Sequence, residues 1–264
     1  MAKASRKRNK DPLWLQALPF ASAVLFLAAW EAVVRLKGLP PIILPAPSSI
    51  ARYLVAMIAD GSLPYNLLVT FLRIMAGFLV AAVFGVLFGV LMGMSRVAAR
   101  VLDPWIAALY PLPKISLIPL LIIWLGTGEA YILTISAVTA FFPILISTYA
   151  GIRQTDLGLV RAARDLGASA RQVQMKVVIP AAVPSIFSGL HLGMGVTIIL
   201  VVAAEMIGGS NQSGMGYLLI RFGQVMETEK VFATLVVLAV FGGVIIKTQQ
   251  RIDGWIAPWA AGRH

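Results

Sequence analysis

The sequence predicts an all-α integral membrane protein with six transmembrane helices, and three observations predict it. Of its 264 residues 59% are hydrophobic and only 12% charged, against about a half and about a quarter in a soluble domain. The mean hydropathy of +0.87 leaves too little polar surface to coat a globular core. The apolar residues also gather into runs near the ~20 residues that a helix rising about 1.5 Å per residue needs to cross the hydrocarbon. Leu13 to Trp30, Ile74 to Met94, Ala130 to Ile152 and Val177 to Ala204 carry no formal charge. Pro104 to Gly128 is charged only at Lys114 and broken by Pro111, Pro113 and Pro119, which predicts a short interfacial helix and then a span starting near Ile115. Val231 to Ile246 is short, but Lys230 and Lys247 can snorkel outward at its ends.

Charge sets the orientation. Lys3, Arg6, Lys7, Arg8 and Lys10 precede the first run in the manner of a signal peptide, yet the run is long and no soluble domain follows, so it is expected to be the first anchor. With the N-terminus inside, the cytoplasmic segments hold those five bases plus Arg96, Arg100, Arg153, Arg161, Arg164, Arg171, Lys176, Lys247, Arg251 and Arg263. The other side holds Arg35, Lys37, Arg52, Arg221 and Lys230, and Arg73 and Lys114 lie within or beside spans. Fifteen against five, from these lists, places both termini in the cytoplasm. The net charge of +11 is therefore mostly a topology signal with some attraction to anionic membrane lipid, and no nucleic-acid partner is expected. The chain divides into a basic tail (1–12), a first transmembrane helix (13–36), an extracytoplasmic segment (37–66), a transmembrane core (67–250) with a cytoplasmic loop at 153–180, and a second tail (251–264).

Catalytic chemistry is not encoded. Zero cysteines exclude a disulfide scaffold, a zinc finger and a thiol nucleophile, and two histidines, one at the terminus, cannot form a His-rich metal site. No nucleophile, base and metal ligand converge. The segment from Phe241 to Thr248 has an outline like a phosphate loop, but Ile246 stands where the glycine before the lysine belongs. His191, among apolar residues, is expected to bond a neighbouring helix.

Two small-residue stripes predict close helix contacts. Gly77, Ala81, Gly85, Gly89 and Gly93 recur every four residues on the second span, and Ser185, Gly189, Gly193 and Thr197 repeat that spacing on the fifth. The two helices are expected to cross each other or to meet a second subunit, with ordinary packing inside one chain as the alternative. No inverted repeat joins the halves, which weakens a secondary-transporter assignment.

The most informative segment lies between spans four and five. Thr155 and Asp156 open a helix as cap and first-turn acid, and Gly167 closes it in the left-handed conformation. Ser169 with Gln172 at capping-box spacing starts a second helix toward Pro180. Leu159, Ala162, Ala163 and Leu166 share a face too small to fold alone, so Leu157 to Ala168 is expected to dock on another protein.

Arg161-Ala162-Ala163, then Gly167 after three intervening residues, then Val177-Val178-Ile179-Pro180 after nine more, resembles the E-A-A-x3-G-x9-I-x-L-P loop of inner-membrane permease subunits of binding-protein-dependent ABC importers. Arg161 replaces the usual glutamate, and compensation on the partner is expected. The segments Ile43 to Pro47, Thr70 to Arg73 with Gly77-Phe78, Pro111 to Leu120, Trp124 to Glu129, and Ala204-Glu205-Met206 before Gly214-Met215-Gly216 look like the nitrate, sulfonate and taurine branch. The resemblance implies the type I importer transmembrane fold. It also implies two cytoplasmic ATPase subunits, a second permease subunit expected to be an identical copy, and an extracytoplasmic solute-binding protein. No cofactor would be bound by this chain, ATP and Mg belonging to the ATPases. Coupling to them would fall on Leu159, Arg161, Ala162, Ala163, Arg164, Asp165, Leu166, Gly167, Ala168, Ser169 and Pro180. The rival classes are a secondary transporter or channel with Glu205 or Arg73 as its ion site, and an intramembrane enzyme.

Ionisable groups at membrane depth are functional suspects. Arg73, about a turn and a half into the second helical pattern, Lys114 and Glu205 are the candidates for a translocation path for a small anion. Their alternatives are a structural pair between Arg73 and Glu205 and a carbonyl-bonded helix cap at Lys114. Glu31 and Arg35, four apart, form a helix-surface pair.

Overall fold

The computed structural model describes residues 13–208 and 213–257, and every regular element among them is a helix. The expected N-terminal tail (1–12) and Arg263 lie outside the described residues. In order the chain forms α1 (Leu13–Lys37), α2 (Pro47–Ala59), α3 (Ser62–Met94) and α4 (Arg96–Leu109), then a 3-10 turn (Lys114–Leu117), α5 (Ile118–Leu125) and α6 (Glu129–Arg153). There follow α7 (Leu157–Asp165), α8 (Ala170–Val173), a π-helical turn (Gln174–Val178), α9 (Ile179–Gly208), α10 (Met215–Gln224) and α11 (Thr228–Ile256).

Five helices are long and apolar enough to cross a membrane: α1, α3, α6, the rod Ala170–Gly208 that contains α9, and α11. A sixth is reached if the bent pair, α4 with Lys114–Leu125, meeting at 85°, counts as one broken span. Pro111 and Pro113 lack the N–H groups that would carry α4 onward, and Pro113 is extended at ψ 103°. The 12 residues from 114 to 125 rise only about 18 Å, so this crossing exists only if α4 contributes to it.

Three boundaries differ from expectation for one reason: uncharged runs underestimate helices whose ends are polar. α3 begins at Ser62, so Arg73 lies three turns inside it. The segment 37–66 carries α2 and the first turn of α3, and residues 251–256 belong to α11 rather than to a tail.

α6 is the centre of the bundle. The glycine stripe of α3 lies against one side of it and the stripe of α9 against another, so the expected crossing of those two stripes is replaced by two crossings onto α6. Ile144 shows the arrangement: a Cβ on Gly85 would come within 2.8 Å of its Cγ2, and one on Gly193 within 2.8 Å of its Cγ1. Gly93 meets Ile152, Gly189 meets Ser147, and Gly77 meets Ser136 in the same way, while Ala81 is buried. These contacts are the ordinary intrachain alternative. Lipid tails supply no hydrophobic drive between helices, so such close packing carries the association.

A Cβ at Gly89 would lie 2.6 Å from Thr148 Cβ and 2.8 Å from the Leu145 carbonyl oxygen, and a backbone carbonyl cannot step aside. Gly89→Leu is expected to destabilise by about 1–3 kcal/mol or more. Leu91→Ala, at a position 47% exposed, should change stability by no more than about 0.5 kcal/mol. Thermal unfolding in detergent checks this, and equal midpoints for the two variants would contradict the packing.

Candidate functional site: a buried clasp and an exposed helix

Asn66, Thr70 and Arg73 fall on one face of α3 at i, i+4 and i+7, and all three are buried. They point at Glu205, 1% exposed near the end of α9, and at the start of α10. Arg73 Nη1 donates to Glu205 Oε1 at 2.8 Å and to the Ser213 carbonyl at 2.9 Å. Nε donates to Glu129 Oε2 at 2.8 Å, and Nη2 to Oε1 of the same carboxylate and, at 3.4 Å, to Ser213 Oγ. All five guanidinium donors are thereby engaged, so the anion expected at Arg73 finds no free donor in this conformation. The structural pair with Glu205 is what the geometry contains.

Glu205 also caps a helix. Its Oε2 accepts from Gly216 N at 2.9 Å, Thr70 Oγ1 donates to it and accepts from Met215 N at 2.8 Å, and Asn66 Oδ1 accepts from Gly214 N at 2.6 Å. Three N–H groups at the start of α10 are satisfied by side chains of α3 and α9, and the carboxylate lies at the positive end of the helix dipole. The clasp leaves room only for glycine. At Gly214, φ is +108° and a Cβ would overlap the Glu205 carboxylate; at Gly216 it would overlap the Val202 carbonyl oxygen. Tyr131 Oη donates to the Ala204 carbonyl at 2.9 Å, tying α6 to the same end of α9.

Lys114 is not brought to this cluster. It sits at the bend after α4, its ammonium bonded to the carbonyls of Leu109 and Tyr110 and 4.8 Å from the Phe142 ring centroid. That is the carbonyl-bonded alternative. Glu31 and Arg35 do pair, and Ser48 N donates to Glu31 at 3.0 Å, pinning the start of α2 to α1. His191 on α9 faces the Asp253 carboxylate on α11.

The second feature is α7. Asp156 is its N-cap, its carboxylate accepting from Gly158 N at 2.7 Å, whereas the Thr155 hydroxyl turns back to the Gly151 carbonyl; the cap is thus one residue later than expected. Gly167 has φ +84°, Gly167 N donates to Arg164 O and Ala168 N to Ala163 O, which is a Schellman stop. The helix ends at Asp165, short of the expected Ala168. Ser169 and Gln172 form the expected capping box, and from there the chain runs without interruption into α9. No residue of α7 is buried. Leu159, Arg161, Ala162, Arg164, Asp165 and Leu166 are exposed, Leu166 to 89%, and only Val160 and Ala163 of α7 are half-buried. Pro180 opens the first turn of α9 and is also half-buried. α7 is thus an exposed amphipathic helix joined through the Schellman stop and the capping box to a membrane rod.

The fold and these two features define a multi-pass membrane protein that presents an exposed helix, α7, and a clasp at the start of α10. The chain belongs to the family of binding-protein-dependent transport system inner membrane components, whose match covers residues 81–258. It is 35% identical over 97% of its length, and 95% of the relative, to a Methanocaldococcus jannaschii protein named as an ABC transporter permease. It is 34% identical to the Bacillus subtilis protein SsuC, named for aliphatic sulfonates transport, over 98% of this chain and 93% of that one. The Escherichia coli taurine transport system permease protein TauC is 30% identical over 92% and 89%. Among solved structures, the inward-facing MetNI methionine ABC transporter matches with a TM-score of 0.54 at 21% identity, covering 70% of this chain and 91% of that one. An amino acid ABC transporter solved with histidines matches at the same TM-score with 19% identity, over 78% and 97%. This chain is a permease subunit of an ABC importer, in the sulfonate and taurine branch, and ATP hydrolysis in such importers belongs to partner subunits.

Proposed function

We propose that this chain lines the path for a small organic anion of the sulfonate class, delivered by an extracytoplasmic binding protein and moved by two cytoplasmic ATPases that grip α7 of each of two identical permease copies. The observation that carries the coupling is the exposure of α7 together with its rigid connection to α9. A displacement of α7 turns the Ala170–Gly208 rod, and because Glu205 on that rod caps α10, the motion reaches the opposite end of the bundle. That is rigid-body coupling between two faces.

The solute class rests on the sulfonate and taurine relatives, and the side assignment on the excess of Lys and Arg around α7. The chain should therefore take up solute from the α10 side and require ATP on the α7 side, with ATP and Mg held by the partners. Proteoliposomes containing the permease and its ATPase, with the binding protein on the α10 face, should accumulate taurine or ethanesulfonate only with hydrolysable ATP on the α7 face. Uptake driven by an ion gradient without ATP would favour a secondary transporter instead.

A further inference from the structure

At the end of the bundle that carries the clasp, α2, α3, α10 and the start of α11 line a half-open cavity of about 220 Å³ with no part in the path described so far. Its floor is apolar and buried, formed by Met57, Leu218 and Phe222. Three ionic side chains line it: Asp60, Arg221 and Lys230.

Two of the three are committed within the chain. Asp60 Oδ1 accepts from Ser62 N at 2.8 Å, and that bond, helped by the charge of Lys230, holds its carboxyl below the usual range. Lys230 Nζ donates to Glu227 at 2.9 Å and lies 5.2 Å from the Phe222 ring centroid. The guanidinium of exposed Arg221 has neither an ion pair nor a hydrogen bond among the described residues. It is the group left to meet a partner, and a planar five-donor fork is best matched by a carboxylate.

We infer that this cavity is a docking socket for an acidic side chain of the extracytoplasmic binding protein, with Arg221 as its anchor; the inference rests on the transport assignment above. Size and charge choose this occupant over free solute. Cavities that enclose a small ligand run to about 300–1,000 Å³, and a lone exposed guanidinium gains little from a freely diffusing anion. An Asp or Glu carried on a protein surface brings its own wider interface, fits its aliphatic stem over the apolar floor, and needs only one charge to fix the register. The socket also touches the clasp. Asn66 lines the cavity and accepts the Gly214 N–H that starts α10, so a docked side chain presses on the residue that holds the clasp in place.

The test uses the reconstituted permease–ATPase complex, titrated with the extracytoplasmic protein whose addition stimulates its ATP hydrolysis. Arg221→Glu should raise the half-stimulating concentration about tenfold, Arg221→Gln less, and both should flatten its dependence on salt while unstimulated hydrolysis stays at the wild-type rate. An Asp or Glu to Arg change on the binding protein should restore stimulation of Arg221→Glu. Because Arg221 has no internal partner among the described residues, Arg221→Gln should unfold at the wild-type temperature, and Arg221→Glu, an acid in the last turn of α10, only slightly below it, which thermal unfolding checks. Unchanged half-stimulation and salt dependence in Arg221→Glu would overturn the inference while leaving the transport assignment standing. If millimolar taurine alone, or phosphatidylglycerol vesicles alone, stabilise the wild type but not Arg221→Gln, the socket takes free solute or lipid and the docking assignment is overturned. If no extracytoplasmic protein stimulates the wild-type complex, the transport assignment fails and this inference with it.

Discussion

Arg73→Gln is expected to destabilise the protein by about 3–5 kcal/mol, because removing one partner of a buried ion pair leaves the other charge uncompensated. The uncompensated group here is Glu205, 1% exposed, with Glu129 held at the same guanidinium. The loss should be visible as a lower midpoint of unfolding in detergent and as weaker assembly. Arg73→Gln with Glu205→Gln should recover part of it, since the amide removes the buried charge and still offers an oxygen to Gly216 N. Recovery should be incomplete because Glu129 remains without its partner. Transport should follow assembly in both variants. A single variant that assembles like wild type while transport stays lost in the double would instead show that Arg73 meets the solute. Lys114→Gln should do less, as its ammonium serves carbonyls of its own bend.

The second large effect is expected at Gly167. With φ +84° and no atom within 4 Å of a Cβ placed there, the position has space for a side chain but not the backbone for one. A left-handed conformation costs an ordinary L residue roughly 1–2 kcal/mol, and a β-branched residue is less tolerant still. Gly167→Val should therefore leave the spans folded and melt or re-aim the stop between α7 and the capping box at Ser169. The ATPase should detach, or hydrolyse ATP without uptake. Gly167→Ala, with a smaller penalty, should fall between. Wild-type ATPase co-purification together with wild-type uptake in Gly167→Val would remove α7 from the coupling role.

How much of this was legible from the sequence depended on sequence distance. The α7 stop and the capping box at Ser169 and Gln172 are local events, decided by residues within six positions of one another, and the chain states them directly; the helix bounds slipped, the cap from Thr155 to Asp156 because two adjacent residues could each serve, and the end from Ala168 to Asp165 because the left-handed Gly167 already lies outside the helix. Helix length was less legible. The uncharged run stops at Arg73 although α3 passes through it, since a neutralised arginine breaks a hydropathy pattern without breaking a helix. The clasp was half visible: Arg73 and Glu205 stood out as charges at membrane depth, but 132 and 56 positions separate Arg73 from its two carboxylates. Nothing local marks Glu129 as a partner. A signal that could have pointed to the clasp is the polar stripe Asn66, Thr70 and Arg73 on one face of an otherwise apolar helix. The glycine stripes do lie in close contacts, but their object was not legible, because α6 meets them with a mixture of bulky Ile144 and Ile152 and small Ser136 and Ser147 rather than with a regular stripe.

ATP-driven uptake through this subunit is the property that decides its role. In proteoliposomes holding the permease, its ATPase and the stimulating extracytoplasmic protein, radiolabelled taurine or ethanesulfonate should accumulate when hydrolysable ATP is on the α7 face. It should stop with a non-hydrolysable analogue, and fall with Gly167→Val. Accumulation that persists without ATP, or that is the same in Gly167→Val as in the wild type, would contradict it.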